Sequence, residues 1–294
     1  MPNEARRAIL ILGMHRSGTS AVAGTAVRLG AAGPRTPLDA SADNPAGFHE
    51  SAQVMILNHS IMRDAGSSWN LSLHRTTAQI CAAAPPYRPA MAAVLEQEFG
   101  RAPLFVMKDP RLCLTLPGWR PVLQVGGIET SAFLVVRHPG EVARSLLKRN
   151  NLPEVISVAE WLHHTLEAEY STRGMKRAAL FYDDLMTNWK PPLLTAARQA
   201  GITWPLPVEA VEISITSYLS QDLRHQRTRL DEPLQMPEGI IPLVQKAWLA
   251  LQRMRQAPDD PAALAELDTV RNQFATWRQQ VLPPDVKVVW PHPV

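Results

Sequence analysis

The stretch Ala8-Ile-Leu-Ile-Leu-Gly-Met-His-Arg-Ser-Gly-Thr-Ser20 decides how this chain is read. Ala8 to Leu12 is short, wholly apolar and partly β-branched, the pattern of a strand covered on both faces. Gly13 to Ser20 is a loop with two glycines and three hydroxyls. Ala21 to Ala32 then carries small and apolar residues at helical spacing. Strand, glycine-rich loop and helix form a layout that binds phosphate, because backbone N–H groups line the loop and the helix N-terminus faces the anion.

The spacing nearly satisfies the nucleotide-binding pattern Gly-x4-Gly-Lys-Ser/Thr. Gly13, Gly18 and Ser20 fit it. Position 19 is Thr instead of Lys, and the cation lies inside the loop at Arg16. That displacement argues against an ordinary Mg-ATP site and leaves a cradle for another anion. The bland alternative is a buried strand followed by an ordinary turn.

A chain of 294 residues is ample for one large α/β domain or two small ones. Net charge is +3, from 30 basic and 27 acidic residues. This suits an anionic ligand and is too weak a bias to argue for nucleic acid. Cys81 and Cys113 are isolated, with no CxxC, which favours a reducing compartment. No apolar run approaches a membrane span. A soluble cytoplasmic protein is expected; oligomeric state is not encoded in any pattern.

Further strands are predicted at 103–108, 131–137 and 178–182, with a short strand or extended tail at 286–290. Helices are predicted over 51–65, 88–99, 112–124, 141–149, 154–173, 192–200, 208–219, 240–255 and 261–281. Residues 33–48 form a long Pro-, Gly-, Asp- and Ser-rich loop, a length that suggests function. Apolar strands alternating with helices predict an α/β three-layer sandwich around a parallel sheet. One domain is expected, with a core at about 8–230 and a mainly helical extension over 231–294. Ligands of such sheets lie beyond the carboxyl ends of the strands. There stand residues 13–20, Lys108 to Arg111, Arg137-His138 and Asp183-Asp184, the ingredients of one active site with several cations.

These residues resemble the sulfotransferase family, specifically the bacterial type with Arg in the first loop. Residues 13–20 look like the loop that binds the 5′-phosphosulfate of 3′-phosphoadenosine 5′-phosphosulfate (PAPS). Val136-Arg-His-Pro-Gly-Glu-Val-Ala-Arg-Ser-Leu146 looks like the 3′-phosphate motif, Arg at a strand end and Ser eight residues on. Asn44-Pro-Ala-Gly-Phe-His-Glu-Ser51 and Lys108-Asp-Pro-Arg-Leu-Cys-Leu114 look like acceptor-side motifs. Phe181-Tyr-Asp-Asp-Leu185 and Leu223-Arg-His-Gln-Arg227 extend the likeness over roughly 8–230. One departure is His49, where this type often has an aromatic residue.

The resemblance implies sulfuryl transfer from PAPS to a hydroxyl of a glycan, glycolipid or secondary metabolite, by in-line displacement and without a metal. Arg16 would stabilise the bridging oxygen. His15, Ser17, Gly18, Thr19 and Ser20 would hold the 5′ end, and Arg137 and Ser145 would clamp the 3′-phosphate. Lys108 would touch a sulfuryl oxygen. Glu50 is the preferred general base, with His49 its rival and Asp109 a third choice that could instead orient Lys108 or Arg111. Arg111 serves the acceptor or pairs with Asp109, and Trp69 is an acceptor contact. Arg224, His225 and Arg227 close over the nucleotide or form an exposed charged loop. Trp119, Trp161, Trp189 and Cys113 read as packing. His163 and His164, adjacent on a helix, cannot form an i,i+4 metal pair. Two other functions stay open: an ATP-dependent kinase, and a catalytically silent nucleotide-binding protein.

Overall fold

The structure, a computed structural model, describes residues 6–40, 47–223 and 239–281, the last three residues before 224 in backbone only. Four strands, β1 (Arg7–Leu12), β2 (Leu104–Lys108), β3 (Glu129–Val136) and β4 (Lys176–Phe181), make one parallel sheet in the order β2-β1-β3-β4. Register sets Ile11 beside Lys108 on one side and Leu12 beside Leu134 on the other. Twelve α-helices are described. They are α1 (Thr19–Arg28), α2 (Ala52–Asp64), α3 (Thr77–Ala82), α4 (Arg88–Phe99), α5 (Leu112–Val125) and α6 (Pro139–Asn150), then α7 (Glu154–Ser171), α8 (Tyr182–Asn188), α9 (Lys190–Gln199), α10 (Val208–Leu223), α11 (Ile240–Met254) and α12 (Pro261–Val281).

The apolar strand follows from two-sided burial. Ile9 and Ile11 pack with side chains of α1, α8, α9 and α10. Ala8, Leu10 and Leu12 pack on the opposite face with α2 to α7, α11 and α12. The layering is therefore helices, sheet, helices. Ile240, Leu251, Leu267 and Phe274 belong to the same buried cluster as Leu10 and Leu12, so the C-terminal helix pair is built into one face of the core. No helix among the described residues is long and apolar enough to cross a membrane.

The departures from expectation have local causes. β3 and β4 begin two residues earlier than the apolar pattern predicts, at Glu129 and Lys176. Polar side chains are admitted there because they find partners: Glu129 accepts from Arg7, and buried Arg177 donates to the Glu169 carbonyl and to Asp259. Asp183 and Asp184 do not end a strand beside the site. They open α8, where Asp184 lies 3.4 Å from Arg255. Short α3 carries a capping box at Thr76 and Gln79 and was not predicted. The tail at 286–290 lies outside the described residues.

In this strand order the chain runs outward from β1 to β2 and then crosses to β3. The crevice between the carboxyl ends of β1 and β3 is a topological switch point, the place where open α/β sheets take ligands.

Candidate functional site

A cavity of about 590 Å³ opens at the carboxyl ends of β1 and β2, beside that switch point. Its first wall is the loop after β1. Gly18 has φ 90°, and a Cβ there would lie 2.2 Å from the Tyr182 ring, so only glycine lets the chain turn into α1 at this spot. Arg16 takes φ 71° without being glycine. Two bonds hold that conformation: Arg137 Nη1 donates to the Arg16 carbonyl at 3.1 Å, and Arg16 Nε donates to Ser145 Oγ at 2.8 Å. Strain of this kind costs on the order of 1–3 kcal/mol and persists only where neighbours over-determine it. The first turn of α1, whose N–H groups have no intrahelical acceptor, faces the cavity through Thr19 and Ser20.

The second wall comes from β2 and the residues before α2. Lys108 ends β2 and is buried; its Nζ donates to Ser20 Oγ at 3.1 Å, to the Phe48 carbonyl at 3.2 Å and to Glu50 Oε1. Glu50 is also buried, and burial raises its pKa while Lys108 opposes the shift. The neighbouring His49, at φ 54°, turns the other way. Its ring packs edge-on against Tyr218, with Nε2 in the space that the missing side chain of Gly24 leaves. Burial and then Lys108 lower the His49 pKa to about 4. Glu50 lines the cavity, whereas His49 is wedged behind α1.

The floor carries Arg111. Its Nη1 donates to Asp109 Oδ1 at 3.0 Å, and its backbone N–H donates to the same oxygen at 2.9 Å. Asp109 Oδ2 accepts from Asn58 Nδ2 at 2.9 Å; Asn58 Oδ1 in turn accepts from Trp119 Nε1 at 2.7 Å and Thr115 Oγ1 at 2.9 Å. All the hydrogen-bonding capacity of Asp109 that is visible goes to orienting its neighbours. Beside Arg111, the His15 ring lies 4.3 Å from Trp69, tilted by 45°. Burial first, then Arg111, His164, Lys108 and Arg149, hold the His15 pKa well below its usual value, so the ring is neutral. Behind Trp69, the loop over 66–76 is tied down from below: Arg278 of α12 donates to the Arg75 carbonyl at 3.2 Å and to His163 Nε2 at 3.1 Å.

Of the residues singled out in the sequence, His15, Arg16, Gly18, Thr19, Ser20, Glu50, Trp69, Lys108 and Arg111 line one cavity. Ser17, Asp109, Arg137 and Ser145 sit behind its wall. Arg137 is 3 % exposed, donates through Nε to Glu141 at 2.7 Å and lies over the Tyr182 ring at 4.5 Å. Arg224, His225 and Arg227 lie outside the described residues. Sequence reading missed Arg149, Asp39, Tyr182 and Asn58. Arg149 stands in the last turn of α6, where a basic residue is expected to complement the helix dipole. Asn58 had a usable signal, because a lone amide stands on the inward stripe Val54, Leu57, Ile61 of α2.

The lining thus sets Arg16, Lys108, Arg111 and Arg149 against Glu50 and Asp39. This balance favours an anionic ligand, with one buried carboxylate poised at a cation. Among the described residues no group of three or more His, Cys, Asp and Glu side chains could hold a metal ion. No family model, curated protein or solved structure matches the chain.

Proposed function

We propose that the chain is a sulfotransferase that uses PAPS as donor and a hydroxyl compound as acceptor. One observation carries the reading: Arg16, Lys108 and Glu50 meet in a single cavity at the switch point of a parallel sheet. The donor fits the residues present. The loop 13–18, a phosphate-binding loop in this reading, and the first turn of α1 would hold the 5′-phosphate through backbone N–H groups and the hydroxyls of Thr19 and Ser20. A 3′-phosphate would reach Arg137 and Ser145, which stand behind the wall on Arg16, only once Arg16 gives up its bond to Ser145 Oγ and opens that corner. Arg137 suits an oxyanion because its planar guanidinium, which lies over the Tyr182 ring, offers several donors in a fixed fork.

In the reaction the acceptor oxygen attacks sulfur as Glu50 takes its proton. The bond from sulfur to the 5′-phosphate oxygen breaks, and the electron pair leaves with that phosphate. Burial favours Glu50 as a base, since it lifts the carboxylate toward the working pH. Lys108 holds Glu50 before reaction and can pass to a sulfuryl oxygen during it. Arg16 meets the charge that grows on the departing oxygen, where a fixed cation in a dry site has its largest effect.

The test is a thermal shift. Adenosine 3′,5′-bisphosphate at a hundredfold excess over its Kd should stabilise the fold by about 2.7 kcal/mol, and Arg16→Ala should reduce the shift. Stabilisation by Mg-ATP alone would point to a kinase and overturn the proposal. A bisphosphate shift without any sulfuryl transfer to a broad acceptor panel would point to a silent nucleotide-binding protein.

A further inference from the structure

Arg111 is built with more care than a salt bridge to Asp109 requires. Its side chain is 12 % exposed and lies on the cavity floor. Asp109, with no exposed surface, holds one edge of the guanidinium, and Asn58, likewise sealed, holds Asp109. Trp119 Nε1 and Thr115 Oγ1 fix Asn58 in turn, so the amide cannot flip without orphaning a donor. Four side chains on α2 and α5 and the strand-end turn therefore set the plane of one guanidinium.

Most of that guanidinium is unused. Among the described residues only Nη1 of its side chain makes a hydrogen bond, and Nε is buried without any acceptor. A buried donor left unmade costs about 1–3 kcal/mol. A planar fork held in place with donors to spare is the geometry that recognises a carboxylate. Beside it stands the Trp69 indole, with the neutral His15 ring tilted against it; an indole face is of the kind that covers the apolar side of a sugar ring. The field agrees: His15 feels Arg111, Lys108 and Arg149, and each disfavours a further positive charge. The carboxylates that would resist an acidic ligand are Asp109, already paired with Arg111 and held by Asn58; Glu50, already held by Lys108; and Asp39.

Resting on the sulfotransferase reading, we propose that the acceptor is itself acidic, a hydroxyl compound of the uronic-acid class whose carboxylate docks on Arg111 while its ring lies against Trp69. The carboxylate is a handle and takes no part in the transfer.

Two probes that differ only at this handle decide the matter: 4-nitrophenyl β-D-glucuronide and 4-nitrophenyl β-D-glucoside, titrated calorimetrically into the full chain saturated with adenosine 3′,5′-bisphosphate. The glucuronide should bind at least tenfold more tightly, a difference of about 1.4 kcal/mol. Arg111→Leu should erase that preference and leave the bisphosphate thermal shift in place, which also reports that the variant folds. Arg111→Lys should recover only part of the preference, because an ammonium cannot reproduce the fork. Equal affinity for the two probes, binding of neither, or a glucuronide preference that survives Arg111→Leu would each overturn the proposal. Loss of the bisphosphate shift in the unmodified protein would instead overturn the sulfotransferase reading beneath it.

Discussion

Among the described residues two glutamates are buried and hard to ionise, and of the two only Glu50 lines the cavity. Glu50 lines the cavity beside Lys108. Glu160 lies on α7 with no exposed surface, under the loop that carries Trp69. Burial raises both, Glu160 to about 8. Their partners differ in kind. Glu50 is held by a mobile class of cation that a ligand can take over. Glu160 accepts from the Ser72 backbone N–H at 2.7 Å and from Ser72 Oγ, groups that have nowhere else to go. The donors behind it run in one direction. Arg278 can only donate to His163 Nε2, so His163 Nδ1 carries the hydrogen toward Ser72 Oγ at 2.7 Å, and Ser72 donates to Glu160 when that carboxyl is ionised. A perturbed pKa thus marks desolvation wherever it occurs. It marks chemistry only where a substrate can reach the group.

The largest effect that tests this contrast is on turnover. Glu50→Gln should lower kcat by roughly 10²–10⁴-fold, the range for a lost general base, while retaining the bisphosphate thermal shift. Glu160→Gln, assayed well below its melting temperature, should change kcat by less than about threefold. Similar losses from both variants would erase the distinction. A smaller effect is on stability. Ser72→Ala leaves Glu160 and His163 Nδ1 without their shared partner and should cost about 1–3 kcal/mol in urea unfolding, with kcat nearly unchanged.

The smallest effect is a pH dependence. Glu160 is protonated in the folded chain up to about pH 8, and its ordinary value is 4.5. The folded state therefore holds the extra proton between these values, and stability falls as pH rises through that window. His49 and His164, lowered to about 4, act with the opposite sign, but only up to their ordinary value of 6.5. Above that point Glu160 is left to act against neither. From pH 6.5 to 8 its contribution should fall by at most about 2 kcal/mol. Over this interval the wild type should lose up to about 2 kcal/mol of stability relative to Glu160→Gln if the proton is held, whereas a constant gap between the two would show Glu160 ionised throughout.

Much of the fold was legible in advance for a physical reason. Strands buried on both faces are apolar along their whole length, and Ala8 to Leu12 can be little else. Ends were legible only where they were apolar: Arg177 extends β4 because a glutamate carbonyl and an aspartate wait for it across the sequence. The loop residues 15–20 and the pair Lys108–Glu50 could be found because chemistry crowds at strand ends. The direction in which Glu50 and His49 point could not. It depends on a positive φ at His49 and on the hollow at Gly24, both set by distant packing. Asn58 was hidden for the opposite reason: its role is visible only through Trp119, which is 61 residues away.

The bond from Arg278 to the carbonyl of Arg75 closes a loop of 203 residues. During synthesis the chain leaves the ribosome from its N-terminus at about 5–20 residues per second, and the glycine-rich loop, β2 and β3 emerge long before α12. The loop that bears Trp69 is bonded to α7 through Ser72 and Glu160, but its bond to α12 forms only once that helix is made and docked. The anion cradle and the far wall of the cavity therefore mature at different times, and a nascent chain lacking α12 would have the first complete and the second only partly tied. Contacts of such long sequence separation are also the slowest to form. Completion of the cavity is in this sense a late checkpoint of folding, read out at the opposite end of the polypeptide from the loop where the site begins.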